Sequence, residues 1–126
     1  MKILLAEDDP SIQAIAVLAL TRVGGHAVTI VKNGIEVLEA VKKETPELIL
    51  LDVMMPTLDG FETCTRLKQS ENTRDIPIIF LTAKAQMNEV HYGMNLGAMG
   101  YILKPFDPMS LHLQIEEVLH NHAKAA

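Results

Sequence analysis

Glu47-Leu48-Ile49-Leu50-Leu51-Asp52-Val53-Met54-Met55-Pro56 is the stretch on which the fold turns. Apolar residues run without alternation from Leu48 to Leu51, follow Pro46 closely, and stop at an acid, Asp52. A strand with one wet face alternates apolar and polar side chains, whereas a strand covered on both faces does not. The segment is therefore expected to be a strand of a parallel sheet held between two helical layers. Asp52 then stands where the strand leaves the sheet.

Outward from this strand the same pattern recurs. Ile3-Leu4-Leu5-Ala6, Ala27 to Val31, Ile78-Ile79-Phe80-Leu81 and a run from about Met99 to Leu103 are the other apolar segments. Amphipathic stretches separate them. Asp9-Pro10 supplies an N-cap and a first-turn proline for a helix whose inward face is Ile12, Ala16, Ala19, Leu20 and Val23, ended by Gly24-Gly25. Asn33-Gly34 opens a second helix with Ile35, Leu38 and Val41 inward. A third carries Phe61, Cys64 and Leu67, and a fourth carries Met87, Val90 and Met94 before Gly97. Asp107-Pro108 caps the last, with Leu111, Ile115, Val118 and Leu119 on its buried face. Five β-α units predict a doubly wound α/β domain with a five-stranded parallel sheet and five helices. Its expected span is residues 1–122, with 123–126 a frayed C-terminal tail.

The composition agrees with this frame. A chain of 126 residues, 48% hydrophobic and 21% charged, is an ordinary single-core globular chain and not a disordered one. No apolar run approaches the ~20 residues of a membrane-spanning helix. Residues 1–6 are too short for a signal peptide. The single cysteine, Cys64, asks for no oxidising compartment and is read as inert packing, so a cytoplasmic protein is expected. A net charge of −5 and the absence of tryptophan argue against direct nucleic-acid binding. The seven methionines are read as core gap-fillers. His26 and His91 are expected at the surface, and His112, His120 and His122 as solvent-facing helix residues, with no metal site among them.

Ligands of such a sheet bind beyond the carboxyl ends of the strands. Those ends carry Glu7-Asp8-Asp9, Asp52, Thr82 and Lys104-Pro105. Singly each has a plainer role: Glu7 and Asp8 as solvated loop acids, Asp52 and Thr82 as caps, Lys104 as a surface lysine, and Asp9, before Pro10, as an N-cap outside any site. Together they are more specific. Two carboxylates 4 Å apart repel by ~1 kcal/mol even at the dielectric of water. A fold that gathers Glu7, Asp8 and Asp52 at one edge needs a cation. Oxygen ligands with room for water and a phosphoryl group favour Mg2+. The chain has no Gly-rich phosphate loop, so a phosphoryl group would be held by metal, Lys104, Thr82 and backbone amides.

The blocks Ile3-Leu4-Leu5-Ala6-Glu7-Asp8, Leu50-Leu51-Asp52-Val53-Met54-Met55-Pro56, Asp59-Gly60, Leu81-Thr82-Ala83 and Tyr101-Ile102-Leu103-Lys104-Pro105-Phe106 resemble the signature of response-regulator receiver domains, from about residue 2 to 121. The resemblance implies a flavodoxin-like, chemotaxis-regulator-like sheet of order 2-1-3-4-5. It implies that Asp52 is the phosphoacceptor, taking its group from a histidine kinase or histidine phosphotransfer protein. It implies a Mg2+ site in which Asp8 and Asp52 bind directly, Glu7 acts largely through water, and the Met54 backbone carbonyl adds a ligand. Lys104 and Thr82 would hold phosphoryl oxygens, Ala83 would leave room for them, and Met54 and Lys84 would tune the lifetime of the phosphoryl group. The Lys104-Pro105 bond would be cis.

The implied output is a signalling switch, not a classical enzyme, although it assists its own phosphorylation and dephosphorylation. Thr82 and Tyr101 would be its moving parts, and its face the fourth helix, fifth strand and fifth helix. That face is the expected contact with a downstream effector or a further output domain, and a candidate homodimer surface. With no effector-sized segment after about residue 121, a stand-alone receiver and a receiver from a longer chain are both open. Two other classes fit less well. A flavin-binding module wants a phosphate-cradling loop where Glu7-Asp8-Asp9-Pro10 stands. Aspartyl phosphatases usually carry a second Asp where Met54 lies.

Overall fold

The computed structural model describes residues 1–83 and 88–125. Five parallel strands, β1 (Lys2–Ala6), β2 (Ala27–Val31), β3 (Leu48–Asp52), β4 (Ile78–Ala83) and β5 (Gly100–Lys104), lie in the order β2-β1-β3-β4-β5. The helices are α1 (Pro10–Leu18), α2 (Gly34–Lys43), α3 (Gly60–Gln69), α4 (Val90–Asn95) and α5 (Leu111–Ala125). This is the doubly wound α/β architecture expected from the alternation of runs. The last helix continues through residues 123–125, where a frayed tail was expected.

Every residue of β3 is buried, and its pleat sorts the continuous run onto two cores. Ile49 and Leu51 join Leu4, Ala6, Ile78 and Phe80 against Val37, Val41, Cys64 and Leu67 of α2 and α3. Leu48 and Leu50 join Ile3, Leu5, Ile79, Leu81 and Ile102 against Ala16, Leu111 and Ile115 of α1 and α5. Full burial of one such aliphatic side chain contributes about 2 kcal/mol. Cys64 sits in the first core as expected, and burial pushes its thiol up to about 11.

The N-caps form as the sequence predicts. Asp9 accepts from the Ser11 amide at 2.8 Å and Asn33 from the Glu36 amide at 2.9 Å. Asp107 accepts from the Met109 amide, and α5 begins two residues later, at Leu111. Leu111 and Ile115 are buried, while Val118 and Leu119 pack partly against the same core. Met94 is half-buried on α4; the Met87 and Val90 side chains lie outside the described residues.

Several expectations are corrected. Val23 is exposed, not inward. After Leu18 the helix widens into a π-helical segment, Ala19–Val23, and the wider turn carries Val23 off the face shared by Ala16, Ala19 and Leu20. Ile35 is also exposed; Gly34, Val37 and Val41 are the inward residues, spaced i, i+3 and i+7. Gly34 begins that face because a Cβ there would strike Thr63 Oγ1 and the Leu58 carbonyl. On β2 only Val31 is buried, so this edge strand is not covered on both faces. Met54 and Met109 are exposed and fill no core gap.

His26 and His112 are half-buried and hydrogen-bonded, Nε2 to Nδ1 at 2.9 Å, and so are neither free surface nor solvent-facing residues. Burial first, then the Met1 ammonium and His112, hold the His26 pKa below the usual histidine value. His91 and His120 are exposed as expected, and the His122 side chain lies outside the described residues.

Candidate functional site

Parallel pairing brings the strand ends to one edge. Ala6 pairs with Leu51, Asp52 with Leu81, Thr82 with Leu103, and Ala83 with Lys104. Glu7, Asp8, Asp52, Thr82, Ala83 and Lys104 therefore emerge together. β1 and β3 are the neighbours at which the strand order reverses, the crevice where this class of sheet binds ligands.

Asp52 is the centre of the cluster and is 1% exposed. Its Oδ1 accepts from the Met54 amide at 3.2 Å and lies 3.1 Å from Lys104 Nζ. Lys104 also reaches Glu7 Oε2 at 3.3 Å. The Lys104-Pro105 peptide is cis, as the resemblance implied. The half-buried ammonium thus bridges two carboxylates that have almost no contact with water. Burial alone would lower the Lys104 pKa, but Asp52 and Glu7 more than offset it and hold the amine above its usual range.

Glu7 is as buried as Asp52. Its Oε1 accepts from the Asp9 amide at 3.2 Å, and the Gln13 side-chain amide donates to its carbonyl. Burial first, then repulsion by Asp52 and a hydrogen shared with that carboxyl, raise its pKa from 4.5 to about 7. Asp8 is exposed beside this pair. One carboxylate oxygen each from Glu7, Asp8 and Asp52 lies within 4.8 Å of the others, close enough for one ion to bind all three. With all three ionised, the carboxylates facing one ammonium leave two negative charges, which one divalent cation would cancel. An oxygen-only set with an exposed member suits a hard ion that keeps waters, so the residues present fit Mg2+.

Thr82 is fully buried, and its hydroxyl donates to the Ala83 carbonyl at 3.3 Å. Tyr101, whose strand position pairs with Phe80, is 39% exposed. Lys84 lies outside the described residues. The sequence reading missed Gln13 and gave no role to Gly60, although the Asp59-Gly60 block stood out. Gln13 holds the turn after β1, and its place one helical turn into α1 was the available signal. Gly60 packs directly on the Asp52–Val53 backbone, where a Cβ would meet the Asp52 carbonyl and come within 2.8 Å of Val53 Cα. Asp59 caps the helix that places it, accepting from the Glu62 amide at 2.9 Å.

Comparison with known proteins points in one direction. The sequence profile of the response regulator receiver domain matches residues 3–116. A probable transcriptional regulator, ycf27 of Pyropia yezoensis, is 41% identical over 98% of this chain and 49% of its own length. The alkaline phosphatase synthesis transcriptional regulatory protein PhoP of Bacillus subtilis is 38% identical over 99% of this chain and 51% of its own. The chain thus spans about half the length of these curated relatives. Among solved structures, a putative response regulator from Chloroflexus aurantiacus superposes with a TM-score of 0.86 at 31% identity, covering 94% of this chain and 97% of that one. The receiver domain of the sensor histidine kinase PA1611 from Pseudomonas aeruginosa, with magnesium in its active-site cleft, gives 0.83 at 31% identity and the same coverage.

Proposed function

This chain belongs to the response regulator receiver domain family and is a phosphorylation-dependent signalling domain of two-component systems, and we propose on that footing that Asp52 is its phosphoacceptor. The observation that carries the proposal is the Lys104 ammonium bridging Asp52 and Glu7 at 3.1 and 3.3 Å inside a cluster of three acids. An Asp52 carboxylate oxygen attacks phosphorus, a P–O bond forms, and the P–N bond to a donor histidine breaks, leaving its imidazole with the electron pair. Such transfer needs mainly positioning and charge stabilisation. Lys104 exchanges carboxylate contacts for the new phosphoryl oxygens, the Met54 amide keeps Asp52 oriented, and the Thr82 hydroxyl turns from the Ala83 carbonyl to the phosphoryl group. Ala83, small at that position, leaves it room.

Asp8 and Asp52 are proposed as direct Mg2+ ligands, with Glu7 through water and the Met54 carbonyl. When bound, the ion would neutralise the acids and the incoming phosphoryl charge together. The PA1611 receiver domain, with its magnesium, supports the same assignment. Hydrolysis of the aspartyl phosphate in this same site is proposed as the step that resets the switch.

The output is proposed to pass through Thr82 and Tyr101 to the α4–β5–α5 face, the contact for an effector or a second receiver. A histidine kinase or histidine phosphotransfer protein is the proposed donor. The relatives' names support transcriptional control as the wider output, exerted by a DNA-binding segment or partner outside residues 1–126, since this domain itself carries a net charge of −5. A cytoplasmic location is proposed with this reading; among the described residues no helix is long and apolar enough to cross a membrane.

Incubation with acetyl phosphate and Mg2+ tests the assignment. The parent should gain one phosphoryl group, labile to base and hydroxylamine, and Asp52→Asn should gain none. Equal labelling of the two proteins would remove Asp52 from the role.

A further inference from the structure

Away from the acidic residues in sequence, two histidines meet that lie 86 residues apart in the chain. His26 stands in the turn between the π-helical end of α1 and β2, and His112 in the first turn of α5. Their ring nitrogens Nε2 and Nδ1 face each other at 2.9 Å. Glu116 follows His112 by four residues, the spacing that places both on one helix face. One ligand atom from each of the three lies within 4.8 Å of the others. Gly24 makes the meeting possible: a Cβ there would stand 2.7 Å from His26 Cδ2 and 2.9 Å from His112 Nδ1. The backbone at Gly24 has φ −89°, a conformation open to any residue, so its missing side chain serves space and not backbone freedom.

We propose that His26, His112 and Glu116 form a second metal site, separate from the acidic cluster and suited to Zn2+ or a similar borderline transition ion. The donor set decides the metal class. Two imidazoles and one carboxylate favour such ions over Mg2+, which takes oxygen ligands. The geometry is near what zinc requires. Tetrahedral Zn2+ with bonds of about 2.0–2.1 Å separates its ligand atoms by about 3.3 Å, so the facing nitrogens need to part by roughly 0.4 Å. Glu116 is exposed and free to swing inward, and the fourth position stays open to water. The ion would tie α5 to the turn before β2, a cross-link in place of one hydrogen bond.

Zinc titration by calorimetry, with Mg2+ in excess to occupy the acidic cluster, tests the site. The parent should bind one Zn2+ per chain. His26→Gln and His112→Gln should each weaken this at least about tenfold. Gly24→Ala should do the same with all three ligands still present, whereas His120→Gln, an exposed histidine farther along α5, should bind as the parent does. A readout on the parent alone guards against variants that fold poorly: zinc should shift the nitrogen NMR signals of the His26 and His112 rings. If His112→Gln binds zinc like the parent, or the two rings' nitrogen signals do not move, the pair is a packing hydrogen bond and the proposal fails.

Discussion

Glu7→Gln in the metal-free domain isolates the electrostatic strain of the site. Glu7 is 1% exposed, beside Asp52, and its pKa is raised from 4.5 to about 7. Between these two values the folded chain holds a proton that the unfolded chain has released, so stability falls as pH rises through that window. Below about 4.5 the penalty is absent, and above about 7 it is complete. At about 1.4 kcal/mol for each tenfold change in proton affinity, it amounts to about 3 kcal/mol. The attraction of Lys104 is already included in that balance. Gln keeps the shape and removes the charge, so at pH 8 in chelator the variant should be more stable than the parent by up to about 3 kcal/mol. For a domain of this size that is roughly 10 °C in melting temperature. The advantage should shrink as pH is lowered toward 5 and should narrow again when Mg2+ is added to the parent. Urea unfolding followed by circular dichroism at the two pH values measures the difference between the two proteins, in which the other titrating groups cancel. A variant no more stable than the parent at pH 8, or one with the same advantage at both pH values, would refute the reasoning.

The other expectations use the same site. Mg2+ at a hundred times its dissociation constant should stabilise the parent by about 2.7 kcal/mol, and Asp8→Asn should lose that response; a full thermal shift in the variant would exclude Asp8 as a ligand. Gly60→Ala should cost about 1–3 kcal/mol by forcing a Cβ onto the Asp52–Val53 backbone, and should slow labelling by acetyl phosphate because Asp52 moves; parent-like denaturation and labelling would show that the backbone yields at no cost. Beryllofluoride should move amide NMR signals across residues 84–96 and 99–108. Thr82→Ala should still accept phosphate but show smaller distant shifts, and an undiminished response would take Thr82 out of the switch.

Much of this molecule follows from near neighbours in the chain. The unbroken run Leu48–Leu51 reads as a strand covered on both faces because period-two burial is local geometry, and all of β3 is buried. Asp9 and Asn33 read as caps because each side chain reaches an amide two or three residues on. The acids, hydroxyl and lysine at strand ends were legible for the same reason: a parallel sheet carries all its carboxyl ends to one edge. What the residues do not state locally, only the assembled sheet decides. Ala27–Val31 is as apolar as an inner strand, yet it lies at the edge with Ile30 exposed, because its helical cover depends on strand order. Val23 and Ile35 fall on plausible inward faces of ideal helices, but a π-helical turn and the close approach allowed by Gly34 set the real phase. The bridging of Glu7 and Asp52 by one ammonium, and the meeting of His26 with His112, join residues far apart in the chain. Such contacts have no periodicity to betray them, since their distances are set by the packing of whole elements and not by the bonds between adjacent residues.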